Sequence, residues 1–193
     1  MTKKYQIASA AVKVFQEKGI ENTKVSDIVK EAGVAQGTFY LYYPSKLSVM
    51  PVIAEEMVMK MLGEIERQVP GKATFAEQLE QVVNIVFKLT SEYRDVFALV
   101  YAGLASTKYL QSWETIYAPY YDWMSEFLSK AKASGNISEL IHPEQSAVLL
   151  IGLIESAAEQ LYLYSHAGDQ AAELKKKEVT EFAARALGMG SCK

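Results

Sequence analysis

Apolar positions recur with helical spacing along almost the whole chain, and no stretch alternates between apolar and polar residues as a strand would. The first helix is predicted over Lys3 to Lys18, where Ile7, Ala11 and Phe15 recur every fourth position and share one face. Gly19 provides the signal that ends it. The pattern therefore predicts an all-α fold.

Two short helices are predicted next. The second helix starts after Thr23, its predicted N-cap, and ends at Gly33, which can adopt the left-handed conformation of a helix end. Its inward-facing residues are Val25, Ile28, Val29 and Ala32. A tight turn at Val34-Ala35 then leads to a third short helix over about Gln36 to Tyr43. The first fifty residues thus predict a three-helix domain.

A long fourth helix is predicted to follow, with Ser45 as its cap and its end near Val69. Pro51 falls inside this helix, where a proline removes a backbone hydrogen bond and should kink the helix or split off its first turn. Pro70-Gly71 is the clearest break in the chain. We therefore divide the chain into residues 1–50 and 51–193, linked by this helix over about 45–69.

Four or five longer helices are predicted after this break. They are placed near Thr74–Ser91, Arg94–Ala105, Tyr109–Ala133, Glu144–Ser165 and Gln170–Leu187. The breaks between them are Ser106-Thr107, Ser134-Gly135-Asn136, His142-Pro143 and Ala167-Gly168-Asp169. Pro119 should kink the helix that contains it, and residues 188–193 are predicted to form a frayed tail.

Composition adds a charge asymmetry to this pattern. The chain has 193 residues, of which 50% are hydrophobic and 22% charged, as in ordinary globular proteins. Its net charge is −3, yet the first fifty residues hold seven lysines and four acidic residues. A basic head on an acidic body suits binding to a polyanion, although a solvated charged face explains the same imbalance equally well.

Cysteine usage and hydropathy indicate a cytoplasmic protein. The single cysteine, Cys192, cannot form an internal disulfide, which fits a reducing compartment. No apolar stretch approaches the roughly 18 residues that cross a bilayer, so no membrane partner is expected. No apolar segment follows the charges at the N-terminus, so we expect no signal peptide.

The stretch from Thr23 to Lys46 carries the functional information, because two short helices joined by a glycine-containing turn are typical of a helix-turn-helix. In the second of these helices Phe39 and Tyr43 can face inward. The residues that then face outward are Gln36, Thr38, Tyr40, Leu41 and Tyr42. Packing explains exposed aromatic residues poorly, whereas a surface that enters the DNA major groove explains them well. The alternative is an ordinary helical hairpin with packed tyrosines.

These residue types fit contacts to DNA. Gln36 can pair with adenine through two hydrogen bonds, and Gly37 lets the backbone approach closely. The residues that can reach phosphate oxygens or thymine methyl groups are Thr38, Tyr40 and Tyr42. Those placed to clamp phosphates, through side chains or helix-end N–H groups, are Thr23, Lys24 and Lys46.

The head resembles the tetracycline-repressor-like (TetR) family over roughly residues 1–60. The matching positions are Ile7, Ala11, Phe15, Gly19, Thr23, Val25, Ile28, Ala32-Gly33-Val34, Gly37-Thr38-Phe39-Tyr40, Tyr42-Tyr43 and Ser45-Lys46. The resemblance implies an all-helical homodimer whose N-terminal three-helix domain binds a palindromic operator on double-stranded DNA. It also implies a C-terminal bundle that binds a small inducer and pairs through its last two helices.

The chain departs from the family pattern at two positions. Ala35 stands where a serine often caps the recognition helix, which costs roughly 1 kcal/mol. Ser26 stands where an arginine is common early in the second helix, which removes one possible base contact. Both departures leave the operator sequence open.

Because the resemblance implies a ligand pocket, the aromatic residues of the C-terminal part become candidates for its lining. These are Tyr101, Trp113, Tyr117, Tyr120 and Trp123. Each of them is equally typical of an ordinary bundle core. An aromatic-rich bundle with few basic residues suggests an apolar or cationic ligand.

The next-to-last helix carries the candidates for a dimer interface. Gly152 and Ser156 are four residues apart and permit close approach of two helices. Glu155 and Glu159 interrupt an apolar helix, and we place them at a helix edge or dimer interface ahead of ligand binding. Phe182 belongs to the apolar positions of the last helix that would join the interface.

No catalytic or metal-binding constellation is recognisable. His142 and His166 have no ligand partners at suitable spacing, and no nucleophile with its base or glycine-rich phosphate loop occurs. We therefore expect no enzyme activity, no cofactor and no metal. The sequence predicts a ligand-responsive repressor. The alternatives are a helical enzyme or ligand carrier with a vestigial helix-turn-helix, and a scaffold that pairs through its last helices.

Overall fold

A computed structural model of the chain describes residues 2–69, 71–105, 112–165 and 169–190. Within these ranges the chain forms nine α-helices and no strand, which confirms the all-α prediction. The helices are α1 (Lys3–Lys18), α2 (Val25–Ala32), α3 (Gln36–Tyr42), α4 (Met50–Gln68), α5 (Phe75–Glu92), α6 (Arg94–Ala105), α7 (Trp113–Ala133), α8 (Pro143–Tyr162) and α9 (Asp169–Ala186). Predicted features that lie outside the described residues are Pro70, Ser106-Thr107, Tyr109, His166, Ala167-Gly168 and Cys192.

The chain divides into two compact units. One unit holds the residues up to Val58 together with Asp95–Tyr117, and the other holds Met59–Arg94 and the residues from Ala118 onward. Helices α4 and α7 contribute residues to both units. The assignment of separate functions to residues 1–50 and 51–193 stays a prediction.

Helices α1, α2 and α3 form a small bundle in the first unit, in which α2 packs against both α1 and α3. Its core consists of apolar side chains that are at most 1% exposed. These are Ile7, Ala11, Phe15, Ile28 and Phe39. Full burial of each large side chain contributes about 1.5–3 kcal/mol, so this small core can hold the three short elements together.

Two hydrogen bonds from side chains tie α1 to the ends of the next two helices. The Gln6 side-chain amide donates to the Ala32 carbonyl at 2.7 Å, at the end of α2. The Tyr43 hydroxyl, just after α3, donates to the Lys4 carbonyl at 2.9 Å. Because α2 and α3 are too short to be stable alone, these contacts and the shared core fix their geometry.

Pro51 splits off the first turn of the predicted fourth helix, which is one of the two predicted outcomes. A 3-10 turn covers Lys46–Val49, and α4 then begins at Met50. Proline is well placed here, since the first helical residues need no N–H donor. Before this turn, the Ser45 N–H donates to the Ser48 hydroxyl at 3.1 Å.

In the second unit, α5 packs against α8 and α9, and these two helices pack against each other. Helix α5 starts one residue later than predicted because Thr74 is its N-cap. The Thr74 hydroxyl accepts from the Glu77 N–H at 3.3 Å, and the Glu77 carboxylate accepts from the Thr74 N–H at 2.8 Å. This bond from the Thr74 N–H holds the pKa of Glu77 below its usual value.

The predicted frayed tail is wrong for Gly188 and Met189, whose N–H groups donate to the Arg185 and Ala184 carbonyls at 3.1 Å and 2.9 Å. The Ser138 N–H donates to the Leu187 carbonyl at 2.9 Å. Gly188 has φ +70°, and a Cβ added there would come within 2.7 Å of the Ser138 Cβ. The chain therefore needs glycine at 188 for both backbone conformation and space, and the segment after α9 is packed rather than frayed.

Candidate nucleic-acid interface

Helices α2 and α3 form the predicted helix-turn-helix. Gly33 ends α2 with φ 64° and ψ 37°, which is the left-handed conformation expected there. The Val34 N–H donates to the Val29 carbonyl at 3.0 Å, which closes the turn. Only two further residues separate the turn glycine from α3, so the two helices are held in one fixed arrangement.

Helix α3 has one buried side. Phe39 is 0% exposed and Tyr43, which follows the helix, is 2% exposed. Their ring centroids are 5.5 Å apart, so the two rings pack together against the core. Burial raises the pKa of Tyr43, which keeps its hydroxyl protonated to donate to Lys4. The prediction that these two residues face inward is confirmed.

The opposite side of α3 is exposed, as the sequence predicted. Tyr40 is 51%, Leu41 82% and Tyr42 45% exposed. Gln36 and Gly37 are exposed as well, and Thr38 is half-buried. A short helix that leaves three large apolar side chains in solvent presents a contact surface for a partner. The individual DNA contacts predicted for these residues stay predictions.

Nothing in the folded chain requires glycine at position 37. Its backbone has no positive φ, and a Cβ added there would meet no heavy atom within 4 Å. Glycine in a helix is less stable than alanine by roughly 0.5–1 kcal/mol. The open space is compatible with the predicted close approach of the Gly37 backbone to DNA, which stays a prediction.

Gly37→Ala is expected to stabilise the fold by about 0.5 kcal/mol and to weaken DNA binding. Thermal denaturation and fluorescence anisotropy with labelled DNA measure the two effects. The matched control is Gly63→Ala, since Gly63 also lies in a helix with open space around it. It should stabilise the protein without changing DNA affinity. Unchanged DNA affinity of the Gly37 variant would contradict the assigned contact.

Thr23 does not cap α2, and this part of the prediction is wrong. Its side chain is 2% exposed, and its hydroxyl donates to the Gly19 carbonyl at 2.8 Å. The N-cap is Lys24, whose N–H donates to the Asp27 carboxylate at 2.9 Å. The Thr23 hydroxyl is therefore engaged with the Gly19 carbonyl, just after α1, and a phosphate contact by Thr23 stays a prediction.

The Lys46 side chain has an intramolecular role that the sequence did not indicate. Its amine donates to three backbone carbonyls of the loop between α1 and α2. The acceptors are Ile20 at 2.6 Å, Glu21 at 3.1 Å and Thr23 at 2.9 Å. An ammonium group has three donors, so this geometry satisfies all of them. The Lys46 amine is thus engaged within the head in this conformation, and a phosphate contact by Lys46 stays a prediction.

Two more lysines of the head are paired with carboxylates of α2. Lys13 lies 3.1 Å from Glu31, and Lys18 lies 2.9 Å from Asp27. The hydrogen bond from Lys18 and the Lys24 N–H hold the pKa of Asp27 below its usual value. Exposed pairs contribute little to stability. They do reduce the positive charge that this side of the head offers to a polyanion, whereas Lys24 is exposed at the start of α2.

The predicted pocket aromatics fall into both units. In the first unit, the Trp113 ring lies 5.8 Å from Tyr101 and 4.5 Å from Tyr117, centroid to centroid. Tyr117 is buried, and the other two are half-buried. The three rings therefore form one stack on α6 and α7, which is compatible with core or pocket.

In the second unit, Tyr120 is completely buried, and burial raises its pKa well above the usual value, with a further contribution from the Glu155 charge. Trp123 stacks on Phe127 at 5.2 Å and lines an open groove of about 500 Å³ with α4 and α5 residues such as Ile65 and Phe75. The pocket lining predicted for Tyr120 and Trp123 stays a prediction.

The predicted dimer residues divide into two groups. Gly152 and Ser156 of α8 and Phe182 of α9 line a groove of about 490 Å³ between the two helices. Glu155 and Glu159 are half-buried and do not line this groove, because they lie on another stripe of α8. Leu174, one of the apolar positions of the last helix expected to join the interface, is 60% exposed. The sequence did not single out Val148 and Leu149, which are 47% and 74% exposed.

Other predicted features can be placed briefly. His142 is exposed and is the N-cap residue of α8. In the described part of the chain, no three metal-ligating side chains come together. None of the helices described combines the length and the hydropathy of a membrane-spanning segment.

The head is a helix-turn-helix of the DNA-binding class. Three features define it: a buried helical core, a turn closed by glycine and an exposed aromatic face on α3. Comparison with known protein families identifies the family of this helix-turn-helix protein. Residues 7–50 match the family described as bacterial regulatory proteins, tetR family, and residues 79–187 match the tetracyclin repressor-like C-terminal domain. The chain belongs to the TetR family of transcriptional regulators.

Two curated relatives cover most of the chain. HTH-type transcriptional regulator YvdT of Bacillus subtilis is 39% identical over 186 residues, which are 96% of this chain and 95% of that protein. The fatty acid metabolism regulator protein of Bacillus subtilis is 28% identical over 152 residues, which are 78% of each chain.

Solved structures show the same fold. The regulator FadR from Bacillus subtilis, in complex with stearoyl-CoA, is 26% identical with a TM-score of 0.76, covering 93% of this chain and 96% of that one. The fatty acid degradation regulator FadR from Bacillus halodurans is 24% identical with a TM-score of 0.77, covering 95% of each.

Proposed function

We propose that this regulator is a dimeric repressor whose two heads insert α3 into successive major grooves of a near-palindromic operator, about 34–36 Å apart. The observation that carries the proposal is the two-sided α3 helix. Phe39 and Tyr43 hold it on the core, while Tyr40, Leu41 and Tyr42 stand exposed beside Gln36. A helix that only packs against the core does not require exposed aromatic rings, whereas a helix that contacts the major groove can use them to bind DNA.

The roles of the head residues at the operator follow from this arrangement. Gln36 would read a base edge, and Thr38, Tyr40 and Tyr42 would contact phosphates or bases. Lys24 is exposed and can hold a phosphate. Because their side chains are engaged within the head, Thr23 and Lys46 would contribute by fixing the loop, with backbone N–H groups left to meet DNA.

The exposed apolar surface of α8 and α9 supports a homodimer. Of the ten large apolar side chains exposed in the described residues, four lie on these two helices. They are Val148, Leu149, Leu174 and Phe182. Gly152 and Ser156 line a groove with Phe182 and allow close helix approach. A second copy of the same face covers such a patch in a two-fold dimer, and it places two heads on one operator.

A small molecule that binds residues 51–193 would control the repressor. The similarity to FadR, which was solved with stearoyl-CoA, makes a long-chain acyl-CoA the first ligand to test. The Tyr101, Trp113 and Tyr117 stack is apolar surface of the kind that receives an acyl chain. The ligand must bind the operator-competent and the released conformers with different affinity, otherwise it changes nothing.

The DNA-binding proposal is tested by replacing two exposed residues of α3. Gln36→Ala with Tyr40→Ala should lose at least about 2 kcal/mol over two half-sites, which is roughly a thirty-fold loss of operator affinity. The melting temperature should change little, because both side chains are exposed. Fluorescence anisotropy over a salt series, with DNA that flanks the protein's own gene and with scrambled DNA, measures the affinity.

The control carries the same residue types outside α3. Gln16→Ala with Tyr164→Ala removes an exposed glutamine and a tyrosine that is 74% exposed, and it should retain wild-type affinity. Equal affinity of the wild type for flanking and scrambled DNA calls for a selection from random sequences. If that selection also returns no preferred sequence, the proposal fails and ligand binding without DNA becomes the working hypothesis.

A further inference from the structure

The head has an unusual set of cations for a protein that reads DNA. The sequence contains three arginines, Arg67, Arg94 and Arg185, and none of them precedes residue 67. The exposed face of α3 has neither arginine nor lysine, because the helix reads Gln-Gly-Thr-Phe-Tyr-Leu-Tyr. Every cation of the head is therefore a lysine outside the recognition helix.

This composition removes the commonest contact to guanine. A guanine is normally read by arginine or lysine, which donates to its O6 and N7 atoms in the major groove. The lysine that follows α3, Lys46, has its amine on three backbone carbonyls. Lys13 and Lys18 are paired with acidic residues of α2. Helix α3 thus presents no cation to a G·C pair.

What α3 does expose suits A·T pairs. Gln36 carries the amide that pairs with the N6 and N7 atoms of adenine. Gly37 and Leu41 are four residues apart, so they share the middle of the exposed face. Leu41 is 82% exposed between two tyrosines, and the open space at Gly37 lets the helix approach the bases closely. Only thymine offers an apolar group, its methyl, to such a side chain.

We infer that the base pairs contacted by α3 are A·T pairs, with Leu41 reading thymine methyl groups and Gln36 reading adenine. The inference rests on the proposed function and adds the base composition of the operator half-site to it. The exposed Lys24 supplies a phosphate contact that is independent of base sequence. Specificity then depends on the methyl group and the adenine edge.

The test begins with selection of binding sites from random duplex DNA by the full-length protein. The selected half-sites should share adjacent A·T pairs. Each thymine of the half-site is then replaced in turn by deoxyuridine, which removes only the methyl group. At the thymine read by Leu41, affinity should fall about four-fold for each methyl removed. Anisotropy titrations at constant salt give the ratio.

The Leu41→Ala variant distinguishes a direct contact from a change in DNA shape. It should fold like the wild type, because the side chain is exposed, and it should bind thymine and deoxyuridine DNA with equal affinity. If Leu41→Ala keeps the wild-type discrimination, or if no thymine position is sensitive, Leu41 does not read methyl groups. Selected half-sites built on G·C pairs would overturn the inference and leave the repressor proposal standing. Absence of any preferred sequence would overturn both.

Discussion

Leu149→Glu is expected to convert the protein from a dimer to a monomer at micromolar concentration. The side chain is 74% exposed on α8, beside the groove that Gly152, Ser156 and Phe182 line. A carboxylate buried between two copies, once from each side, carries a large desolvation cost. Size-exclusion chromatography with light scattering measures the mass directly.

The loss of the dimer should carry a loss of operator binding. Two linked heads exceed the affinity of one head by about 10²–10⁴-fold, because the second contact is intramolecular. Leu149→Glu should therefore bind a full operator about as weakly as a half-site. The matched control is Leu140→Glu, since Leu140 is 86% exposed but lies outside both helices. A Leu149 variant that stays dimeric would move the interface elsewhere.

The head was predictable from sequence where local rules dominate. Helix α1 ends where Gly19 has φ 78°, and α2 ends where Gly33 is left-handed, because glycine accepts these conformations more readily than other residues. The two faces of α3 follow from the spacing of Phe39 and Tyr43. In each case the spacing or residue type alone decides the structure.

The sequence did not predict which of several possible hydrogen-bond partners a polar side chain takes. Thr23 is a good N-cap by residue type, but its hydroxyl reaches the Gly19 carbonyl instead. Lys46 bonds carbonyls that precede it by 23 to 26 residues, a pairing set by the closure of the loop and not by any local pattern. The position of these residues was predictable, whereas the use of their polar atoms was not.

The C-terminal helices show a second limit of prediction from sequence. Their bounds are close to the predicted ones, yet an apolar position has the same helical spacing in a core, at a pocket and at an interface. Tyr120 is fully buried and Leu149 is 74% exposed, although both belong to apolar runs. Which apolar side chains are buried depends on how the helices pack, and the spacing of residues in the sequence does not determine that packing.

The exposed apolar residues concentrate at two places that have different consequences for function. Of the ten described, three lie on α3 and four lie on α8 and α9. In the isolated chain both surfaces expose apolar side chains to water, which is unfavourable, and a bound partner would cover them. In the proposed function the partner of α3 is DNA and the partner of α8 and α9 is a second copy, so operator binding and dimerisation would support each other.

Phe39→Ala should mainly destabilise the fold, whereas Tyr40→Ala should mainly weaken DNA binding, although the two residues are adjacent. Phe39 is 0% exposed, and its loss should destabilise the fold by about 3–5 kcal/mol, which lowers the melting temperature by roughly 6–20 °C. Tyr40 is 51% exposed and touches the Phe39 ring edge-on at 5.5 Å, so its loss should cost at most about 1 kcal/mol.

The two substitutions separate folding from recognition when melting and DNA titration are measured on the same samples. Phe39→Ala should lose operator binding only at temperatures where the head unfolds, since its groove-facing residues are intact. Tyr40→Ala should lose affinity at every temperature while its melting curve stays near that of the wild type. Phe39→Leu refills part of the cavity and should recover part of the lost stability. If Tyr40→Ala instead melted like Phe39→Ala, the ring would belong to the core, and α3 would have no free aromatic face to offer DNA.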